Sequence, residues 1–164
     1  MRVDKLNDYQ KIQNLIGSYG QTVDAWPRQP ETYANFFTED GRFTDNGVTI
    51  QPRHKILQLM QTAAAHEKDQ PPLSGTKHLQ LNPVITIDGD TGTGSVDLVV
   101  LELVEEQGWR VRGCGRYVDE YAKDGDGNWR FKSRDVRWHK DLGPDPRNPG
   151  LATAYAEFFK AIMS

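Results

Sequence analysis

The four histidines are the side chains of this sequence best suited to proton transfer near neutral pH. An ordinary histidine pKa of about 6.5 leaves a usable neutral fraction, and a neutral imidazole can remove a proton from carbon. His54 and His139 lie among charged residues, which predicts exposed positions, and His66-Glu67 lacks the second histidine of a zinc-binding helix. His78 lies in an alternating segment, where a lone strand histidine more often serves packing or lies at the surface.

Other segments imitate functional motifs without completing them. Residues 124–128 (DGDGN) resemble the start of a calcium loop, but Trp129 stands where the loop requires glycine and no glutamate closes it. Gly113, Cys114 and Gly115 lie within a predicted strand rather than between a strand and a helix, so they form no phosphate loop. We expect Cys114 to be a small buried residue. The sequence therefore requires no metal ion and no organic cofactor.

The length and charge of the chain restrict its class. With 164 residues it has a common size for one domain, so we expect a single domain over residues 1–164. The net charge of -3 provides no basic surface for nucleic acid, and no segment approaches the roughly 20 apolar residues needed to cross a membrane. The N-terminus is too charged for a secretory signal, and a single cysteine suits a reducing compartment. These features predict a cytoplasmic protein.

Three helices are expected before residue 67. Spacings of three and four between apolar residues predict the first helix, whose stripe consists of Tyr9, Ile12, Ile16, Tyr19 and Val23. Asp24 ends this helix, because Pro27 disfavours helical geometry just before it. A short helix begins near Pro30, and a third covers about residues 52–66. Residues 66–75 have no periodicity, which predicts either a mobile lid or a surface connection.

The rest of the chain has the pattern of strands. A short strand at 42–44 precedes an Asp-Asn-Gly turn. Long alternating or apolar segments joined by hairpin signals predict four further strands, at 76–88, 92–104, 108–122 and 128–139. Helices followed by an antiparallel meander define an α+β fold. Residues 1–140 would form the core, and residues 141–164 a polar link followed by a C-terminal helix.

Several local sequences, in this order of elements, resemble the SnoaL-like group of the nuclear-transport-factor-2-like superfamily. They are residues 16–19 (IGSY), 36–41 (FFTEDG), 78–85 (HLQLNPVI), 115–121 (GRYVDEY) and 127–131 (GNWRF). The resemblance extends over roughly residues 8–139. It implies a cone-shaped α+β barrel with a cystatin-like fold, in which helices pack on a curved antiparallel sheet around one apolar pocket. Fold analogy alone specifies no reaction.

The resemblance also implies site residues, by way of the scytalone dehydratase, hexachlorocyclohexane dehydrochlorinase and bile-acid dehydratase branches. In these branches an aspartate ends the first helix and pairs with a histidine on the first long strand, positions that Asp24 and His78 occupy here. The dehydrochlorinase-like branch has an arginine five residues beyond a tryptophan, as Arg134 is here. Tyr19 stands where that branch has a lysine, which favours dehydration over dehalogenation.

These residues would perform an elimination. His78 would act as general base, and as general acid to the departing hydroxyl if the elimination is syn. Asp24 would orient its ring, and Arg134 and Tyr19 would polarise the leaving group or a developing oxyanion. An apolar wall would select a small hydrophobic, aromatic or polycyclic substrate; its candidates are Trp26, Phe36, Phe37 and Met60.

Alternatives remain for the function and for single residues. The same base could serve an isomerase or cyclase, and the fold also suits a non-catalytic small subunit of a ring-hydroxylating dioxygenase or a ligand-binding module. Arg134 could instead be a surface partner of Asp119 or Glu120, and Tyr19 could serve packing alone. Apolar outer positions of the 96–104 strand, together with superfamily habit, predict a homo-oligomer, either a dimer or a trimer.

Overall fold

The computed structural model describes residues 6–67 and 75–139, and its three helices lie where the sequence predicts them. They are α1 (Asp8–Val23), α2 (Pro30–Ala34) and α3 (Arg53–Glu67). Asn7 caps α1 in a reciprocal pair of hydrogen bonds with Gln10, which satisfies two backbone N–H groups at the start of the helix. Ile12, Ile16 and Tyr19 are buried, so most of the apolar stripe of α1 faces the core as its spacing indicates, whereas Tyr9 at its start is exposed. None of the described helices is long and apolar enough to span a membrane.

Six strands form a single mixed sheet. They are β1 (Phe37–Asp45), β2 (Val48–Ile50), β3 (Thr76–Asp88), β4 (Thr91–Val104), β5 (Gly108–Lys123) and β6 (Trp129–Trp138). Their order across the sheet is β2-β1-β6-β5-β4-β3. The meander from β3 to β6 is antiparallel as predicted, while β1 pairs with β6 in parallel. The mixed α+β class is therefore confirmed.

The first strand and the closure of the sheet differ from the prediction. Strand β1 begins at Phe37 rather than at Arg42, with a register irregularity between those two residues where it follows β6. Strands β2 and β3 lie at opposite edges of the sheet and do not pair with each other. The sheet is thus curved but open, rather than closed into the barrel that the resemblance implies.

The core lies between the helices and the concave face of the sheet. Aromatic rings occupy its centre: the Tyr19 ring lies 5.2 to 6.3 Å from its neighbours, which are Tyr33, Phe36, Phe37, Tyr117 and Phe131. All five of these contacts are tilted or edge-on, the geometries that the ring quadrupole favours. The aromatic residues of α1, α2 and β1 therefore meet those of β5 and β6 in one cluster.

The convex face of the sheet carries apolar side chains that the described residues leave exposed. Its members on β3, β4 and β5 are Leu79, Leu81, Val84, Leu103, Trp109 and Val111. Cys114 lies on this face too, because it pairs with Val99 between the inward positions of β5. The prediction of a buried Cys114 is therefore wrong: the thiol is exposed.

Three predictions concern residues outside the described ranges. The 66–75 lid falls mostly there, as do the 141–150 link and the C-terminal helix. The assignment of residues 1–164 to one domain stays a prediction.

Three parts of the fold position the candidate site: the end of α1, the start of β3, and the inner face of β5 and β6.

Candidate active site

Asp24 and His78 are joined by three hydrogen bonds. The His78 ring nitrogen Nδ1 lies 2.7 Å from Asp24 Oδ1, and the His78 backbone N–H donates to both carboxylate oxygens at 3.1 and 3.0 Å. An ionised carboxylate can only accept, so in the neutral imidazole Nδ1 carries the hydrogen and Nε2 carries the lone pair. The Asp24 side chain is 7% exposed and that of His78 is 22% exposed. The pair is thus shielded, yet its ring remains accessible.

The end of α1 explains why Asp24 meets β3. Asp24 follows the last turn of α1, where the helix dipole disfavours a carboxylate and offers no free N–H group. Its partners must therefore come from another element, and β3 supplies them. Gly20 permits the approach, because a Cβ there would collide with the Gln80 amide and touch the His78 carbonyl oxygen. The Gln80 amide donates to the Ile16 carbonyl at 3.0 Å and so ties β3 to α1.

Arg134 lies in the aromatic core in an ion pair with Asp119. Both side chains are fully buried, and Nε and Nη2 of Arg134 donate to the two Asp119 oxygens at 3.0 and 3.1 Å. Burial opposes the positive charge of Arg134, but Asp119 and the neighbouring tyrosines outweigh it, so the pKa of Arg134 is raised. Nη1 is buried and has no hydrogen-bond partner within residues 6–67 and 75–139. The surface position considered for Arg134 is therefore wrong, although Asp119 is its partner.

Tyr19 lies against this ion pair. The guanidinium carbon of Arg134 is 4.3 Å from the centre of the Tyr19 ring and 3.8 Å from that of Tyr117. The Tyr19 hydroxyl shares a 2.8 Å hydrogen bond with that of Tyr33. Burial raises the pKa of both phenols, so both remain neutral and can donate hydrogen bonds. Tyr19 is at once a core residue and a member of a polar pair.

The four predicted wall residues do not share one surface. Phe37 and Met60 belong to the closed core, and Phe36 packs at its edge. Trp26, just beyond Asp24, is 41% exposed. A groove of ≈ 420 Å³ lies elsewhere, between α1, α2 and the β5–β6 hairpin, and Phe36 is one of its lining residues. The predicted wall is therefore dispersed over core, edge and surface.

Sequence reasoning did not select Asp45, a further carboxyl, which lies on the inner face of the sheet. The Trp138 indole N–H donates to Asp45 Oδ1 at 2.9 Å. Burial is the main cause of a raised pKa for Asp45, and its hydrogen bonds oppose the rise. In the sequence Asp45 stands before Asn46-Gly47 and has the appearance of a turn residue. Only its register beside Val136 of β6 turns it inward.

The described residues contain no group of histidine, cysteine and carboxylate side chains arranged to hold a metal ion. What the arrangement offers is acid–base chemistry. A shielded imidazole with an orienting carboxylate, neutral phenols and a buried guanidinium can move a proton and stabilise negative charge on oxygen.

Comparison with known proteins places the chain in a family. The model of the SnoaL-like domain matches residues 4–135. No curated protein matches the chain. Among solved structures, an Asp-to-Asn variant of Rv3472, a protein of unknown function from Mycobacterium tuberculosis, is 26% identical with a TM-score of 0.70. That match covers 94% of this chain and 88% of the other.

Two further structures share the fold at lower identity. An NTF2-like protein with a cystatin-like fold from Novosphingobium aromaticivorans is 24% identical, with a TM-score of 0.66 and coverage of 91% of this chain and 87% of that one. ActVI-ORFA from Streptomyces coelicolor is 20% identical, with a TM-score of 0.68 and coverage of 82% and 96%. Because the family model covers most of the sequence, the chain belongs to the SnoaL-like domain family, and its fold is the one that these solved structures share.

Proposed function

We propose that this protein is a cofactor-independent lyase in which His78 and Asp24 eliminate water from a small hydrophobic or aromatic substrate. The superfamily includes dehydratases, cyclases and dioxygenase subunits, so membership alone leaves the reaction open. The observation that carries the proposal is the 2.7 Å contact between His78 Nδ1 and Asp24 Oδ1. In the neutral ring this contact directs the lone pair to Nε2, and the ring is partly accessible.

In the proposed reaction, His78 Nε2 takes a proton from the carbon next to a carbonyl group. The electron pair of that C–H bond forms the new double bond as the C–O bond on the neighbouring carbon breaks. The departing hydroxyl takes a proton from a general acid of the site and leaves as water. Asp24 stabilises the imidazolium that forms and holds the ring in its orientation. Donors aimed at the developing negative charge contribute on the order of 2–4 kcal/mol each. The proposal assigns this role to Arg134 through Nη1 and to the Tyr19–Tyr33 hydroxyl pair.

An isomerase is the second candidate, because the same base can return the proton to a different carbon. Incubation of the protein in heavy water with a panel of aryl β-hydroxy ketones distinguishes a lyase from an isomerase. A lyase releases the conjugated enone, which absorbance detects. An isomerase exchanges hydrogen next to the carbonyl without losing water, which proton NMR detects. If neither process exceeds its rate in buffer, the enzyme proposal fails in favour of a binding module or structural subunit.

We further propose that a second copy of the chain covers the convex face of the sheet. Contiguous apolar surface of this kind is uncommon on monomers. Val84 and Val111 are 67% and 62% exposed on that face. Replacing both by lysine should convert a dimer or trimer into a monomer, as measured by light scattering, with an unchanged circular dichroism spectrum. The control Tyr9→Lys alters an exposed apolar residue on α1 and should leave the oligomer intact. A monomeric wild-type protein at micromolar concentration contradicts this proposal.

A further inference from the structure

Asp45 lies on the concave face of the sheet with the residues of the proposed site. It pairs with Val136 of β6, and Phe43, two residues earlier, pairs with Arg134. Paired residues of neighbouring strands point to the same face, and both Val136 and Arg134 are buried against the helices. The hydrogen bond from Trp138 confirms this direction, since Trp138 packs against the same core.

Asp45 also lies at the same end of the sheet as His78. The row of inward positions that contains Trp138 continues across the sheet through Gly115, Leu98 and Gln80. His78 is the next inward position on β3 beyond Gln80. The hydrogen bond with Trp138 therefore links Asp45 to the row of inward residues that lies next to the row of His78. The two residues belong to β1 and β3, which flank the curved face from opposite sides.

The environment of Asp45 favours its protonated form. Burial is the largest cause of its raised pKa, and the charge of Asp135 on β6 adds to the rise. Hydrogen bonds from Trp138 and from the Asn46 backbone act in the opposite direction. When it is ionised, Asp45 in turn helps to raise the pKa of Tyr33 and Tyr117, so its carboxyl is within electrostatic reach of the aromatic cluster. Burial that raises the pKa of a carboxyl is one way in which a site prepares that group to act as an acid.

We propose that Asp45 is a second catalytic residue of this site, the general acid that protonates the leaving oxygen on the side of the concave face opposite His78. This inference rests on the proposed lyase function. His78 Nε2 takes the proton from carbon, the C–O bond breaks, and the departing oxygen takes the proton of Asp45 and leaves as water. The imidazolium then loses its proton to solvent, and the Asp45 carboxylate regains one from solvent. The net reaction is substrate to alkene plus water.

Two matched probes test this role. One is an aryl β-hydroxy ketone, whose hydroxide is a poor leaving group and needs a proton. The other is the corresponding β-(para-nitrophenoxy) ketone, whose leaving group departs without one. Asp45→Asn keeps an oxygen that can accept from Trp138 but cannot donate the acid proton. We expect it to slow elimination from the hydroxy ketone by about 10²- to 10⁴-fold, with little change for the nitrophenoxy ketone.

Control variants separate this inference from the proposed function. Asp40→Asn removes an exposed carboxylate from the same strand and should leave both rates unchanged. If His78→Ala abolishes both eliminations while Asp45→Asn leaves their ratio at the wild-type value, the general-acid role is overturned and the lyase proposal stands. If the wild-type protein accelerates neither probe, both fail together. Thermal unfolding of Asp45→Asn excludes a loss of fold as the cause, and removal of a partly buried carboxylate should leave its midpoint unchanged or higher.

A second readout follows ionisation rather than rate. The Trp138 indole N–H donates to Asp45, so its nitrogen–proton NMR signal should shift as Asp45 titrates. This titration should be absent in Asp45→Asn. In the wild-type protein it should move to higher pH when a saturated aryl ketone, which has no leaving group and cannot react, is bound, because that ligand further excludes water. A titration that the bound ketone does not move would place Asp45 outside the substrate site and contradict the proposal.

Discussion

Replacing His78 by alanine is expected to abolish the elimination while the protein remains folded. A general base contributes about 10²- to 10⁴-fold to rate, and alanine also leaves Asp24 without the imidazole that it orients. The ring is partly accessible and forms no part of the aromatic core, so the cost in stability should be small. The measurement is the rate of enone formation from an aryl β-hydroxy ketone, together with the thermal unfolding midpoint.

Three further variants make this result specific. His54→Ala removes an exposed histidine from α3 and should have the wild-type rate. His78→Gln can still donate to Asp24 but has no basic nitrogen, and it should be as inactive as the alanine variant. Asp24→Asn should lower the rate while changing affinity for the saturated ketone little, because the asparagine amide would favour the wrong tautomer of the ring. A His78→Ala protein with the wild-type rate would transfer the role of base to another residue.

Much of the fold follows from local sequence patterns. Alternation between turns predicts β3 at residues 76–88, and the hairpin signals predict the meander that it begins. The parallel pairing of β1 with β6 has no such local signal, because it joins residues about 90 positions apart in sequence, such as Phe43 and Arg134. Closure of the sheet into a barrel has no local sequence signal either, since it depends on how far the whole sheet curves.

The candidate site, like the fold, is predictable from the sequence only in part. The resemblance to the SnoaL-like group implies Asp24 and His78, which match its aspartate at a helix end and its histidine on a strand, and the structure joins the two. Pocket and core cannot be told apart in sequence, because both require large apolar side chains, and so Phe37 and Met60 are core residues despite their selection. Arg134 and Asp119 illustrate the opposite error. Charged residues are seldom buried, so a hairpin pair of this kind is expected at the surface.

Breaking the pair between Arg134 and Asp119 is expected to destabilise the protein strongly. Arg134→Met leaves a buried carboxylate without its cation, a change that typically costs about 3–5 kcal/mol. Tyr121 would still donate to Asp119 Oδ2 at 2.9 Å, which offsets only part of this loss. Unfolding by urea at a fixed protein concentration measures the free energy, since an oligomer would make it depend on concentration.

The double variant Arg134→Met/Asp119→Leu tests whether the loss is electrostatic. Removing both charges leaves no uncompensated ion, so the double variant should recover most of the stability lost by Arg134→Met. The single variant should also respond to pH. Burial already raises the pKa of Asp119, and loss of Arg134 raises it further, so protonation in mild acid should reduce the deficit relative to wild type. A double variant as unstable as the sum of its single changes, or a deficit that grows in acid, would attribute the loss to packing around the aromatic rings instead.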